Sequence, residues 1–141
     1  MNRGMVVCGT TMSSNGMEGP ESFLHFFDVR CTTQPLSSFR ESHSDDITSV
    51  HFSPFNPNYV LSGAEDSLCC VFDIAGALIQ DEEEALQMVG NAEASINQCG
   101  WYGESTHADY IWATTRIESL SIWTRQDVIR SYCYIQPLLN V

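Results

Sequence analysis

His43, Ser62 and Asp66 are the side-chain types of a nucleophilic triad: a hydroxyl, an imidazole base and a carboxylate to orient it. Their spacing alone leaves that chemistry open. The surroundings of Ser62 speak against it, because its neighbours are Leu61 and Gly63 and no Gly-x-Ser-x-Gly elbow is present to expose a nucleophile. Other chemistries have still less to build on. His25, His51 and His107 show no metal-ligand spacing to one another or to a cysteine. Cysteines stand at 8, 31, 69, 70, 99 and 133 without a Cys-x-x-Cys pair. Adjacent Cys69 and Cys70 in a strand point to opposite faces and cannot chelate one ion together. A Walker-type phosphate loop needs a lysine, and the chain has none. The expectation is no metal, no cofactor, and buried or half-buried free thiols in a reducing compartment.

Charge narrows the partners. The 141 residues carry 6 basic side chains, all Arg, against 18 acidic ones, a net charge of -12. Nucleic acid and anionic membrane surfaces both require basic patches, so neither is an expected partner. Asp81 to Glu84 is the one clear charge run, read as a solvated loop or as a dock for a basic partner. Hydrophobic residues are 43% and aromatics 11%, which fits a folded chain rather than an acidic disordered one. Apolar runs are a few residues long, as at Tyr59-Val60-Leu61, too short for a membrane helix. Met1 to Gly4 leads into no signal-peptide core. These features predict an intracellular protein, with cytoplasm and nucleus not distinguished.

The elements that must position the three polar residues are short strands. Helical periodicity is nearly absent, and apolar or alternating runs recur between turn clusters. Strands are predicted at Met5 to Cys8, Ser22 to Phe27, Pro35 to Arg40, Ile47 to Phe52, Tyr59 to Ser62 and Leu68 to Phe72. Ser53 to Asn58 and Gly63 to Ser67 are turns. Glu82 to Met88 permits a partly helical reading, and a long connection into an outer strand at Ala85 to Val89 fits better. Ile96 to Trp101, Tyr110 to Thr115, Ser119 to Trp123 and Val128 to Tyr134 complete the set. Trp101, Tyr110 and Trp112 are expected to pack inward, and His51 to face outward. This density of strand and turn means an all-β sandwich, barrel or propeller.

A repeat decides among these. Phe26-Phe27-Asp28, Val71-Phe72-Asp73 and Ile122-Trp123-Thr124 end three strands alike, and Phe27, Phe72 and Trp123 stand 45 and 51 residues apart. Propeller repeats of four strands run about 40–45 residues, and the acidic run explains the longer interval as an insertion. His43, then Ser62-Gly63, then Asp66, then Phe72-Asp73 come in the order and at the relative distances of one such repeat. Together with His43 to Phe52 and Asn56 to Gly63, they make the chain resemble the WD-repeat β-propeller family over most of its length, to about residue 130. The resemblance implies an all-β partial propeller of about two and a half to three four-stranded blades. Residues 1–28 would be an incomplete repeat, 29–73 a complete one, 74–124 a divergent one, and 125–141 the start of another or an unstructured tail.

In such a repeat His43, Ser62 and Asp66 form a structural hydrogen-bond network, normally completed by a Trp N–H. Here Phe72 fills that volume and cannot donate. In the divergent repeat Trp123 is present, but Ala113 stands in the place of Ser62, Ile117 in that of Asp66, and Ala92-Glu93-Ala94 in the His region. That blade is expected to rest on packing. Asp45, Asp46 and Glu65 fall in loops that share one face of the repeat, where the resemblance places partner contacts; their charge suits a basic protein. The resulting expectation is a non-enzymatic interaction scaffold, with self-association to complete the ring as one route to closure. The alternatives are a truncated or incomplete gene product with no function of its own and, third, a serine hydrolase built on Ser62.

Overall fold

The computed structural model describes residues 4–12, 21–103, 110–124 and, for the backbone, 131–134. His107, most of the loop before residue 21 and the tail after Tyr134 lie outside the described residues. In chain order the strands are β1 (Met5–Gly9), β2 (Leu24–Asp28), β3 (Ser37–Phe39), β4 (Ile47–Phe52), β5 (Tyr59–Ala64), β6 (Leu68–Asp73), β7 (Leu86–Asn91), β8 (Ile96–Tyr102), β9 (Tyr110–Thr115), β10 (Ser119–Thr124) and β11 (Ser131–Tyr134). They form three antiparallel sheets in the orders β1-β2-β3, β4-β5-β6-β7 and β8-β9-β10-β11. Consecutive strands pair with each other, so each sheet is a meander.

The sheets stack face to face, and the core lies in the two seams between them. Leu24, Phe26 and Phe39 of the first sheet meet Val60, Cys70 and Phe72 of the middle one. Leu61, Cys69, Val71 and Met88 of the middle sheet meet Ile96, Cys99, Ile111, Ala113 and Trp123 of the last. This explains the apolar run Leu68 to Phe72. A strand covered on both faces needs no polar side, so β6 is buried at four consecutive positions and Cys69 and Cys70 enter opposite seams. By contrast β10 alternates buried and half-buried, because the described residues cover one of its faces. At the second seam the sheets approach closely where a side chain is missing: a Cβ on Gly63 would lie 2.9 Å from Cys99 Sγ, and one on Gly90 3.0 Å from the Trp123 ring.

Two expectations need correction. Tyr110 is 36% exposed and Trp112 half-buried, because both sit on the face of the last sheet turned away from the middle one; Trp123 and Ile111 take the core side instead. Trp101 packs partly against the core, and His51 is exposed. The acidic run is not a freely solvated loop. A 3-10 turn at Gly76–Gln80 leads into a short helix, α1 (Glu82–Ala85), whose N-cap Asp81 accepts a bond from Glu84 N–H at 3.1 Å. The outer strand β7 starts directly after it, at Leu86. Among the described residues no helix is long and apolar enough to cross a membrane.

Candidate functional site

The loop before β4, the strand β5 and the β5–β6 turn deliver the three polar residues to one point. His43 Nε2 lies 2.7 Å from Ser62 Oγ, and His43 Nδ1 lies 3.1 Å from Asp66 Oδ2 and 3.3 Å from Oδ1. The carboxylate can only accept, so Nδ1 carries the proton and Nε2 accepts from the Ser62 hydroxyl. Asp66 also accepts from Ser44 N–H at 2.9 Å and Leu68 N–H at 3.0 Å. Burial alone would raise its pKa. The bond from His43 and those from the two backbone N–H groups together outweigh that and hold the carboxyl below its ordinary range.

The order Ser–His–Asp is that of a triad, but the exposure is not. Ser62 is 0% exposed and His43 7%, so the hydroxyl is not presented to solvent. What the arrangement does is tie the chain segments together: it pairs every buried polar atom it contains and fixes the loop before β4 to the β5–β6 turn. Phe72, 0% exposed, occupies the neighbouring core position on β6, cross-strand from Val60.

A second tie to the same loop was not legible beforehand. The Glu82 carboxylate accepts from the N–H groups of Arg40 (2.7 Å), Glu41 (3.0 Å) and Ser42 (2.8 Å), and from the Ser42 hydroxyl. Three successive backbone donors converge on one anion, a nest filled from within the chain. Replacing Glu82 with alanine is expected to lower stability by about 1–2 kcal/mol, since charge-assisted bonds are lost at a partly solvated site. Urea unfolding of the variant measures this; an unchanged midpoint would mean that the nest does not hold the loop.

Among the described residues the last sheet has no equivalent network. Trp123 Nε1 and Ser121 Oγ are buried without a hydrogen-bond partner among the described residues, and Ile117 is 66% exposed. A different pair occupies the turn, Thr115 Oγ1 to Ser119 Oγ at 2.6 Å. Phe27, at the corresponding place in the first sheet, is half-buried and pairs across to Val6.

Around the mouth of the His43 loop lies the acidic face. Asp45, Asp46 and Glu65 each bring a carboxylate oxygen within 4.8 Å of the others, a spacing that also suits a hard cation. Asp46 accepts from Met12 N–H, Asp45 from the N–H of Asp46, and Glu65 is paired with Arg116 of the β9–β10 turn. That ion pair joins the middle and last sheets. It was missed in the sequence because the partners are 51 positions apart and no local signal couples them.

No family model matches the chain. Individual proteins do. It is 38% identical over 95 residues to WD repeat-containing protein GTS1 of Arabidopsis thaliana, covering 67% of this chain and 23% of that protein. It is 33% identical over 136 residues to an uncharacterized WD repeat-containing protein of Saccharomyces cerevisiae, YNL035C, covering 96% of this chain and 31% of that one. It is 33% identical over 92 residues to a WD repeat-containing protein 89 homolog of Dictyostelium discoideum, covering 65% and 24%. The chain thus spans 23–31% of the length of these relatives. Among solved structures it superposes on Chaetomium thermophilum Sqt1 bound to the N-terminus of ribosomal protein L10, with TM-score 0.64, 16% identity, and coverage of 89% of this chain and 29% of that one. A chain of the mitotic checkpoint complex matches with TM-score 0.60 and 20% identity, covering 89% and 38%.

Proposed function

We propose that this partial WD-repeat β-propeller is a non-enzymatic protein-interaction scaffold that presents an acidic loop face to a basic partner. The observation that carries the reading is the convergence of Asp45, Asp46 and Glu65 on loops next to segments tied by the His43–Asp66 bond and by the bonds of Glu82 to residues 40–42. A face tied in this way orders little on binding, so its charge is available for recognition. Both structural neighbours sit in complexes with other proteins, but at their level of identity they support the fold, and the chemistry of the partner rests on this chain's own face. The structural reading of Ser62 rests on its burial.

The test is binding of an Arg/Lys-rich peptide to the chain and to the triple variant Asp45→Lys, Asp46→Lys, Glu65→Lys. Affinity is expected to fall about tenfold or more in the variant, and to fall with added salt in the parent. Equal affinities would remove the face assignment. A fluorophosphonate probe that labelled Ser62 would overturn the non-enzymatic reading. A second reading, in which the chain does nothing by itself and function belongs to a longer ring, is favoured by the fraction of its relatives that it spans.

A further inference from the structure

Cys69 and Cys99 meet in the second seam, Cys69 on β6 of the middle sheet and Cys99 on β8 of the last. Both walls of this seam belong to the chain. Gly63 makes the meeting possible. It pairs across strands with Cys69, and a Cβ in its place would lie 2.9 Å from Cys99 Sγ, so the Cys99 thiol fills the space that a side chain there would take. In that position the two thiols are hydrogen-bonded to each other across the seam, and neither is in a disulfide.

The pair is chemically asymmetric. The bond from Cys69 and one from Ser49 outweigh burial and hold the Cys99 thiol below its ordinary value, while the same bond and burial push Cys69 well up. Cys99 is therefore the more easily ionised sulfur and the better nucleophile. Ser49, Cys99, Gly100 and Trp101 line an open cleft of about 780 Å³ between β4 and β8, which gives a small oxidant an approach to this strand. Adjacent Cys70 enters the first seam instead, where burial pushes its thiol up to about 12.

We propose that Cys69 and Cys99 are a redox modification site, which a hydroperoxide converts to a disulfide joining the middle sheet to the last. The Cys99 thiolate attacks one peroxide oxygen and the O–O bond breaks. The leaving oxygen takes a proton and departs as an alcohol or water, and Cys99 becomes a sulfenic acid. The Cys69 sulfur then attacks the sulfenic sulfur and gives up its proton, the S–S bond forms, and the displaced hydroxide leaves as water. Two thiols and one hydroperoxide thus yield one disulfide, one water and one alcohol or second water. The site is independent of the acidic face.

Peptide mapping of the full chain after treatment with hydrogen peroxide under native conditions tests it. Free thiols are alkylated after unfolding, and the chain is then digested after acidic residues. Cleavage at Glu82 to Glu84 separates Cys69 from Cys99. The expected product is one linked peptide pair, two hydrogens lighter than its reduced parts, which dithiothreitol separates. The link should be lost in Cys99→Ala and kept in Cys70→Ala, with both variants retaining the β-sheet circular dichroism spectrum. If Cys99→Ala loses that spectrum, a link in Cys70→Ala still assigns the bond to Cys69. Two results overturn the proposal. One is full alkylation of Cys69 and Cys99 while exposed Cys8 and Cys31 are oxidised. The other is a sulfinic or sulfonic acid at Cys99 with no linked pair.

Discussion

Replacing His43 with alanine is expected to lower the free energy of unfolding by about 3 kcal/mol. The imidazole bridges two groups that water cannot reach. Ser62 Oγ loses its acceptor at 2.7 Å, and the Asp66 side chain, 5% exposed, loses its charge-assisted donor. A buried partner left behind costs more than the bond itself contributed, because its desolvation is no longer offset. In a chain of this length the midpoint of thermal unfolding should fall by roughly 2–4 °C for each kcal/mol. The acid limb of the stability curve should move as well. Asp66 has its pKa lowered on folding, so its contribution is fully present above the unfolded carboxylate value, about 4, and is lost as pH falls through the folded value. Removing His43 removes the hydrogen bond that opposes burial, so acid unfolding should begin at higher pH in His43→Ala than in the parent. Denaturant melts from pH 3 to 7 measure both effects. A variant with the parent's midpoint and acid limb would mean that the network is not formed in solution.

Trp123→Ala should cost about 4 kcal/mol, while Trp123→Phe should cost about 1 kcal/mol. The ring is 1% exposed, lies in the second seam and packs against Gly90, where a Cβ would come within 3.0 Å. Truncation to alanine therefore opens a cavity between two sheets that a shift of one side chain cannot fill. Phenylalanine keeps most of the volume and discards the indole N–H, which is buried without a partner among the described residues. The unmet donor is itself a cost of the parent, so its loss offsets part of the lost contact area. The middle sheet already carries Phe72 at the equivalent register. Calorimetry on the three proteins decides the point: equal losses for the two variants would mean that the N–H finds a partner in solution.

The strand content was readable because its signals are local. Turn residues sit between runs of period two, and the equivalence of Phe27, Phe72 and Trp123 follows from repetition along the chain. The meeting of His43, Ser62 and Asp66 follows from the same repetition, as a strand pair and its turn return three residues to one point whenever the register is kept. The acidic residues 45, 46 and 65 share a face for that reason too.

Only the stacking of sheets decided the rest. Strand alternation separates two faces but does not say which is covered, and so Tyr110 and Trp112 were assigned inward while Ile111 and Trp123 took the core side. Glu82 reaches a nest some 40 positions earlier, and Glu65 reaches Arg116 51 positions later. Neither pairing has a local pattern, since each depends on where two sheets come to rest against each other. Gly63 and Gly90 likewise look like ordinary strand glycines until Cys99 and Trp123 occupy the space where their side chains would be. What the amino-acid sequence determined by itself was the set of strands and the two faces of each, because side-chain alternation is short-range. Which faces are buried, and which side chains bridge the seams, was decided by tertiary packing, because close approach between sheets is a property of two surfaces at once.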